Sequence, residues 1–229
     1  MVVLHHLKDS RAQRILWLLE ELEIPYEIKN YPRLPDGRAP PELVTENPSP
    51  LAKSPTITDT HVIDGKEETI TLVESGAIVE YLIAKYDTKG KFSVPERLSQ
   101  GWIDNVFYTH FAEEFARAVV LAFVLKRQGA VDDAGSQKVE DVFTMPVIKR
   151  HTALIEEHLS KNGSNWFAGG TNPTSADFMM IVPLEILIWR YPNVTGPSTK
   201  EYIRKVQNRP KYKEGIEKVG GYRMLLPPA

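Results

Sequence analysis

Hydrophobic positions in the first part of the chain follow two alternating periods. Short apolar runs that suit strands are interleaved with segments in which apolar residues recur every three or four positions, as on one face of a helix. The clearest such stripe is formed by Ile15, Leu18, Leu19 and Leu22. The patterns predict the order β-α-β-α-β-β-α, with elements at residues 2–5, 10–21, 26–31, 41–46, 55–58, 68–72 and 75–86. In this order the first two strands can be parallel and the last two form a hairpin.

The connection inside this hairpin carries a strong turn signal. Asp64-Gly65 is a dipeptide typical of two-residue hairpin turns. The apolar patterns on either side stop well before it, so we expect a loop longer than two residues, within residues 59–68.

The rest of the chain is predicted to be helical. From about residue 95 onward we find no strand pattern, and helical patterns cover residues 97–127, 137–161, 174–189, 199–207 and 211–219. The second of these patterns is interrupted at Met145-Pro146, since proline breaks a helix interior. We therefore expect an α/β domain at residues 1–87, a linker at 88–95 and an all-helical domain at 96–229.

Composition and charge are those of an ordinary globular protein. Hydrophobic residues make up 42% of the 229 positions, charged residues make up 25%, and the formal net charge is −2. This near-neutral balance argues against a general nucleic-acid-binding protein, which would carry a concentrated basic face. No run approaches the ~18 consecutive apolar residues of a membrane span, and the N-terminus lacks the basic start and apolar core of a signal peptide. We expect a soluble, cytoplasmic protein, although the sequence leaves association with a membrane surface open.

The chain contains no cysteine. Disulfides, thiolate zinc sites and catalysis by a protein thiol are therefore excluded. Only His5 and His6 are adjacent among the six histidines, and the remaining histidines show no ligand spacing. We expect no metal site.

The start of the first predicted helix is basic. Ser10 is followed by Arg11 and Arg14, although the N-terminus of a helix already carries about half a positive charge and normally attracts acidic residues. One interpretation is a capping box, in which the Ser10 hydroxyl accepts the backbone N–H of Gln13. The other is a site for the anion of a ligand. Salt bridges to carboxylates elsewhere are the alternative role for the two arginines.

Two further segments fit either a ligand site or ordinary structure. A cis Ser54-Pro55 bond would turn the Ser54 backbone outward as an edge for a peptide ligand, but only about 5–6% of X–Pro bonds in folded proteins are cis. Ser75 at the start of the third predicted helix is most simply an N-cap. The same helix start also suits a ligand carboxylate, and Glu74 suits a ligand ammonium group.

Taken together, these segments resemble a glutathione transferase over essentially the whole chain. The similarity is greatest to the yeast-type fungal branch and its bacterial relatives, whose segments like HHLxxSRxxRILWLLEEL, RAPPEL and ESGAI lie here at residues 5–22, 38–43 and 74–78. In the second domain, Thr174 and Asp177 match the family's S/T-x-x-D capping box. The resemblance implies a thioredoxin-like first domain, a C-terminal helical bundle and a homodimer.

The resemblance also implies a set of residues that bind glutathione: Arg11, Lys53, Ser54, Pro55, Glu74 and Ser75. Within this set, Glu74 and Ser75 would hold the γ-glutamyl end. Ser54, before a cis proline, would pair through its backbone with the cysteinyl part, and Lys53 is a candidate for the glycine carboxylate. Ser10 would face the sulfur.

The segment before Pro55 departs from the family pattern. The usual N-P-L-G-K run is here NPSPLAK, residues 47–53, with Ala52 in place of glycine and two extra residues. This difference leaves the role of Lys53 open.

The missing cysteine selects among the chemistries of this fold. Because the chain has no thiol, the reactive sulfur must arrive with glutathione, which is a co-substrate, and we expect no other cofactor. A hydrogen bond from Ser10 to the thiolate is worth about 1.5–3 kcal/mol and a helix end adds about 0.3–1 kcal/mol, which lowers a thiol pKa by roughly one to three units. This predicts conjugation of glutathione to electrophiles, with hydroperoxides as further substrates. The alternative is a non-catalytic protein of the same fold that binds glutathione or apolar ligands.

The electrophile is expected between the domains, against the helix at residues 97–127. Phe107, Phe111 and Phe115 recur there every four residues, a spacing that more often indicates core than pocket. The pocket candidates are Tyr108, Phe111 and Phe115.

Overall fold

The computed structural model describes residues 1–163 and 166–226 and divides the chain into two compact units. The first comprises Met1–Ser93 together with the chain from Gln207 onward, and the second comprises Val94–Val206. The division after Ser93 falls within the predicted linker. The chain from Gln207 onward, which the prediction placed in the helical domain, groups with the first unit.

The first unit contains a four-stranded sheet. Its strands are β1 (Val2–Leu7), β2 (Tyr26–Tyr31), β3 (Thr56–Ile63) and β4 (Lys66–Val73), in the order β2-β1-β3-β4. Strand β1 is parallel to β2 and antiparallel to β3, and β3 pairs with β4 antiparallel. Helices α1 (Gln13–Leu22), α2 (Glu42–Thr45) and α3 (Ser75–Tyr86) follow β1, β2 and β4. The predicted β-α-β-α-β-β-α order is confirmed.

The core of this unit follows the apolar patterns. Leu4 of β1 lies in register with Ile28 and Ile57 on the neighbouring strands, and Leu4 and Ile57 are fully buried. On α1, the predicted stripe is buried at Ile15 and Leu18. The sheet and this helix face therefore form the frame from which the loops of the unit emerge.

The prediction of a long loop between β3 and β4 is wrong. Ile63 pairs with Lys66, so the connection is only Asp64-Gly65, and both residues have positive φ (49° and 76°), as a two-residue hairpin turn requires. The residues from Lys66 to Thr69 are polar and exposed. The ladder therefore continues beyond the buried part of the sheet, where no apolar alternation marks it.

In the second unit, regular structure among the described residues is helical. The helices are α4 (Gln100–Arg127), α5 (Asp133–Val139), α6 (Met145–Lys161), α7 (Ser175–Arg190) and α8 (Pro197–Gln207), the last of which ends where the first unit resumes. Helix α7 is buried over almost its whole length. Within residues 1–163 and 166–226, none of the helices combines the length and apolar character that crossing a membrane requires. The predicted combination of an α/β part and a helical part is confirmed.

A π-helical segment at Glu140–Thr144 joins α5 to α6. It stands immediately before Met145-Pro146, where the sequence predicts an interruption. Proline lacks an N–H, and its ring collides with the carbonyl four residues earlier, so the regular hydrogen-bond ladder cannot pass through this point.

The last helix, α9 (Pro210–Lys218), packs against α1 within the first unit. Gly215 permits the close approach, because a Cβ there would lie 3.1 Å from Leu16 Cγ. The nearly buried Glu21 accepts from Arg209 Nη2 at 2.8 Å and from Trp17 Nε1 at 3.1 Å. Burial disfavours the charged form of Glu21, but these partners outweigh burial and hold its pKa below the usual value.

The predicted capping box at the start of α7 is present. Asp177 is fully buried and accepts from Phe167 N–H at 2.9 Å, Thr174 N–H at 2.8 Å and Tyr202 O–H at 2.9 Å. A single carboxylate thus satisfies the helix start, the preceding loop and a residue on α8.

We expect Asp177→Ala to lower the free energy of unfolding by about 3 kcal/mol or more, because its donors lose their acceptor while remaining buried. Urea denaturation followed by tryptophan fluorescence measures this loss. The matched control is Asp132→Ala, which removes an exposed cap on Gly135 N–H (2.7 Å) and should cost about 1 kcal/mol. Equal losses in the two variants would contradict this account of Asp177.

Candidate functional site

The Ser54 hydroxyl joins the loop before β3 to the end of β1. It donates to the His5 carbonyl at 3.0 Å and accepts the Leu7 N–H at 2.8 Å. Because β1 ends at Leu7, the loop that carries Ser10 begins beside this junction. The sequence interpretation assigned only the backbone of Ser54 a role and missed this function of its side chain.

The Ser54-Pro55 peptide bond is cis, in agreement with the resemblance. Pro55 is buried, and neither the N–H nor the C=O of Ser54 hydrogen-bonds to any of the residues that the structure describes. A peptide segment could therefore pair with this backbone as an additional short strand.

The start of α3 is an electropositive helix end with an unusual backbone. Glu74 has φ 69° and ψ 116°, a region that non-glycine residues seldom adopt, at a cost of about 1–3 kcal/mol. The Ile78 N–H bonds to the Glu74 carbonyl at 3.0 Å, and this leaves the N–H groups of Ser75, Gly76 and Ala77 directed out of the helix end.

Ser75 adds a polar group to this helix end. Its side chain is buried, with 2% exposure, and its hydroxyl has no hydrogen-bond partner among the described residues. Buried hydroxyls are normally hydrogen-bonded, so an open one beside free N–H groups is suited to an anionic ligand. The N-cap interpretation of Ser75 does not apply, since the cap position is Glu74 and no side chain caps α3.

Lys53 and Glu74 lie together. Lys53 Nζ is 3.0 Å from Glu74 Oε1, and both side chains are about half exposed. Exposed ion pairs contribute about 1 kcal/mol or less, so a charged ligand could replace either partner at little cost. The structure thus brings the segment of Lys53 and Ser54 and the separate segment of Glu74 to one end of the first unit.

The loop before Lys53 explains the departure from the family pattern. Ala52 has φ 46°, a left-handed conformation that favours glycine, at a cost of about 1–2 kcal/mol for alanine. Its N–H bonds to the Ser49 carbonyl at 3.0 Å, so the extra residues form a closed turn. Asn47 Nδ2 donates to the Lys53 carbonyl at 2.8 Å and fixes the turn to the site. Sequence reasoning missed Asn47, although it stands in the family's N-P-L-G-K run.

Ser10 does not form the predicted capping box. Helix α1 begins at Gln13, and Ser10 lies in the preceding turn, where its hydroxyl accepts the Ala12 N–H at 3.1 Å. The Gln13 N–H bonds instead to the Ser10 carbonyl at 3.2 Å. No side chain caps α1, and no acidic residue lies in its first turn. Of the two interpretations, the open helix end remains.

The two arginines after Ser10 differ in exposure. Arg11 is half-buried in the turn, whereas Arg14 is fully buried in α1. Arg14 therefore offers no surface to a ligand, and Arg11 is the only one of the two that can contact one.

Most of the aromatic candidates lie in the core of the second unit. Tyr108 and Phe115 on α4 are 3% and 0% exposed, whereas Phe111 is half-buried. The Tyr108 ring lies 4.6 Å from the Phe167 ring, centroid to centroid, and burial raises the pKa of its hydroxyl. The exposed ring of the series is Phe107, 47% exposed and stacked on Phe111. Tyr108 and Phe115 are therefore packing residues, since both rings are buried. The sequence did not distinguish them from Phe107, because helical spacing alone does not say which ring faces outward.

Comparison with known proteins identifies the fold and the family. Residues 1–84 match the family model described as glutathione S-transferase, N-terminal domain, and residues 126–218 match the corresponding C-terminal domain. Glutathione S-transferase 3 of Schizosaccharomyces pombe is 34% identical over 99% of this chain and 91% of its own length. A glutathione S-transferase structure from Actinobacillus pleuropneumoniae has a TM-score of 0.78 at 30% identity, covering 97% of this chain and 94% of its own.

A second similar structure contains glutathione. A glutathione transferase family member from Pseudomonas fluorescens with two glutathione molecules bound has a TM-score of 0.68 at 23% identity, over 93% of this chain and 91% of its own. At this identity the likeness concerns the fold alone. The identity to the first two proteins, over nearly the full length of both, shows that the chain belongs to the glutathione S-transferase family of enzymes.

Proposed function

We propose that this protein binds glutathione along the first unit and stabilises its thiolate for attack on electrophilic substrates. The observation that carries the proposal is the Ser75 hydroxyl, which is buried and without a partner among the described residues at the positive end of α3. The family resemblance assigns this position to the γ-glutamyl end of glutathione, whose carboxylate would supply the missing acceptor.

The remaining groups of the site fit the rest of the tripeptide. The ammonium group of the γ-glutamyl residue would pair with Glu74, and the cysteinyl amide and carbonyl would pair with the Ser54 backbone. Lys53 would move from Glu74 to the glycine carboxylate, which the low energy of an exposed ion pair permits. Arg11 would add positive potential close to the sulfur.

The hydrogen bonding of Ser10 suits it to stabilise a thiolate. Its oxygen accepts the Ala12 N–H, so the hydroxyl proton is left to donate to sulfur. The thiolate, formed when the thiol proton passes to solvent, attacks the electrophilic carbon and forms a C–S bond. The electron pair of the broken bond departs with the leaving group or moves onto the acceptor, which then takes a proton from water.

The electrophile requires an apolar surface, for which α4 supplies one candidate. Phe111 is half-buried and lies stacked at 5.4 Å from the more exposed Phe107. We propose this pair in place of Tyr108 and Phe115, whose rings are buried.

Hydroperoxides are a second substrate class for the same thiolate, which would break the O–O bond, with a second glutathione completing the reduction. The homodimer implied by the resemblance stays a prediction, which light scattering can check.

The first test is turnover with an activated aryl halide, 1-chloro-2,4-dinitrobenzene. We expect glutathione-dependent formation of the thioether well above the uncatalysed rate, because the bound sulfur is ionised near neutral pH. Calorimetry with glutathione alone provides the parallel measurement of binding. Binding of glutathione without turnover of any electrophile or hydroperoxide would favour the alternative of a non-catalytic binding protein.

We expect Ser10→Ala to raise the pH at which conjugation reaches half its maximum by about one to two units, because the thiolate loses a hydrogen bond worth about 1.5–3 kcal/mol. Activity should be lost below the new midpoint and recovered above it. Affinity for glutathione should stay the same when it is measured at a pH below both midpoints, where the bound thiol is protonated. Ser10→Thr, which keeps the hydroxyl, is the control. An unchanged pH–rate profile in Ser10→Ala would remove Ser10 from the mechanism.

Ser75→Ala should have the complementary effect. We expect the dissociation constant for glutathione to rise by about 10- to 100-fold, since a hydrogen bond to a charged group is lost, while the pH–rate midpoint does not move. The free protein should not be destabilised, because within residues 1–163 and 166–226 the hydroxyl has no hydrogen-bond partner to lose. Ser160→Ala removes an exposed hydroxyl on α6 and is the control. A Ser75→Ala variant that binds glutathione as tightly as this control would contradict the assignment.

A further inference from the structure

Asp9, the residue before Ser10, is tied to the far end of the chain. Its side chain is 11% exposed, and its Oδ1 accepts the backbone N–H of Arg223 at 2.9 Å. Arg223 Nε lies 3.7 Å from Oδ2 of the same carboxylate. The two residues are 214 positions apart in sequence and belong to the same compact unit.

The backbone of Asp9 is held as firmly as its side chain. Asp9 has φ 52°, and its carbonyl accepts from Arg33 Nη2 at 3.0 Å. Arg33 also donates to the Lys8 carbonyl at 2.8 Å and to the Gly37 carbonyl at 2.9 Å. The direction in which the chain leaves Asp9 towards Ser10 is therefore set by contacts outside the loop.

The chain around Arg223 is a packed segment. We define residues 220–226 as the C-terminal segment. Its Tyr222 and Met224 are buried, with 8% and 7% exposure. Gln207 binds it at two points, through Nε2 to the Met224 carbonyl at 3.2 Å and through Oε1 to the Leu226 N–H at 2.9 Å. Lys8 Nζ donates to the Gly220 carbonyl at 3.3 Å, a second link to the loop.

We propose that Asp9 is a positioning residue for Ser10 and that the C-terminal segment holds Asp9 in place through the Arg223 amide. This inference rests on the proposed function. The Ser10 hydroxyl stabilises a thiolate only at hydrogen-bond distance, and Ser10 is attached directly to a residue whose backbone and carboxylate are both fixed. The C-terminal segment thereby contributes to the reaction without touching the substrate.

The competing explanation is that Asp9 is present only for its backbone. Asp and Asn tolerate positive φ better than most residues, and glycine tolerates it best. A second alternative is that the carboxylate acts through its charge. Because a negative charge opposes a nearby thiolate, its removal would then lower the thiol pKa.

The test compares Asp9→Gly with Asp9→Asn in the full chain, each alone and combined with Ser10→Ala. Glycine keeps the backbone conformation and removes the acceptor, whereas asparagine keeps the conformation and an acceptor oxygen but removes the charge. The measurements are the pH–rate profile of conjugation, the ultraviolet absorbance of bound thiolate against pH, and the dissociation constant for glutathione.

We expect Asp9→Gly to raise the thiol pKa by about half a unit to one unit, which lowers the rate about 3- to 10-fold at pH values below both midpoints. Asp9→Asn should keep the profile of the natural chain or move it slightly downward. Glutathione affinity should change little in either variant. In the Ser10→Ala background, Asp9→Gly should cause no further shift, because the effect passes through the hydroxyl.

The outcomes separate this inference from the proposed function. If Ser10→Ala shifts the profile and Asp9→Gly does not, positioning by Asp9 is wrong and the proposed function stands. The inference is also overturned if both Asp9 variants move the midpoint downward, or if Asp9→Gly shifts it equally with and without Ser10. If Ser10→Ala causes no shift while conjugation persists, Ser10 has no part in the mechanism and the inference fails, whereas binding and conjugation of glutathione still stand. If no electrophile or hydroperoxide is turned over at all, the proposed function fails, and the inference fails with it.

Discussion

The double hydrogen bond of the Ser54 hydroxyl is the contact on which the candidate site depends. It links two segments that are 47 and 49 positions apart in sequence, the end of β1 and the loop before β3. A serine at this point meets two needs with one atom, because it supplies the donor for the His5 carbonyl and the acceptor for the Leu7 N–H. Its backbone N–H and C=O, beside the cis bond to Pro55, form no hydrogen bond with the residues that the structure describes. The side chain of Ser54 therefore joins two segments of the first unit, while its main chain is available to pair with the proposed ligand.

The helices differ in whether a side chain accepts the free backbone N–H groups at their N-terminal ends. Helix α7 is closed by its own Asp177, and α8 receives the Glu156 carboxylate, which accepts the N–H groups of Ser198 and Thr199 at 2.7 and 2.9 Å. Helices α1 and α3 have no side-chain cap, and among the described helices the same is true of α2, α6 and α9. An unsatisfied helix end costs free energy where it is shielded from water. The start of α3 differs from the other uncapped starts because the Ser75 hydroxyl beside it is buried without a partner among the described residues, so an external anion there can satisfy both the helix end and the hydroxyl. The basic first turn of α1 has the same physical meaning, because it adds to the attraction of an anion.

The sequence predicted the limits of the strands and helices correctly where the signal was local. The limits of β2 and α3 agree with residues 26–31 and 75–86, because each element has a clear period and a distinct boundary. The start of α1 was misplaced by three residues, since Ser10 and Gln13 fit a capping box by spacing although the backbone turns there differently. The polar end of the β3–β4 ladder gave no apolar alternation, and helical spacing alone could not tell the exposed Phe107 from the buried Phe115. For the ladder and the aromatic rings the deciding information was tertiary burial, whereas at Ser10 it was the local geometry of the backbone.

No sequence pattern predicted the contact between Asp9 and Arg223, which are 214 positions apart. The contact shows that the first unit includes residues from the C-terminal part of the chain. The apolar pattern assigns the whole α/β domain to residues 1–87, because these residues carry all the predicted strands and the helices of the α/β order. Yet α9 covers α1, and the C-terminal segment closes the loop that carries Ser10. The cost of fixing that loop in a left-handed conformation at Asp9 is offset by hydrogen bonds from Arg33 and Arg223. One of these donors comes from the last residues that the structure describes, so the contacts that hold the loop come from segments far apart in sequence. The first unit is therefore continuous in space but not in sequence, and the geometry of the proposed thiolate site depends on a segment that no local motif identifies.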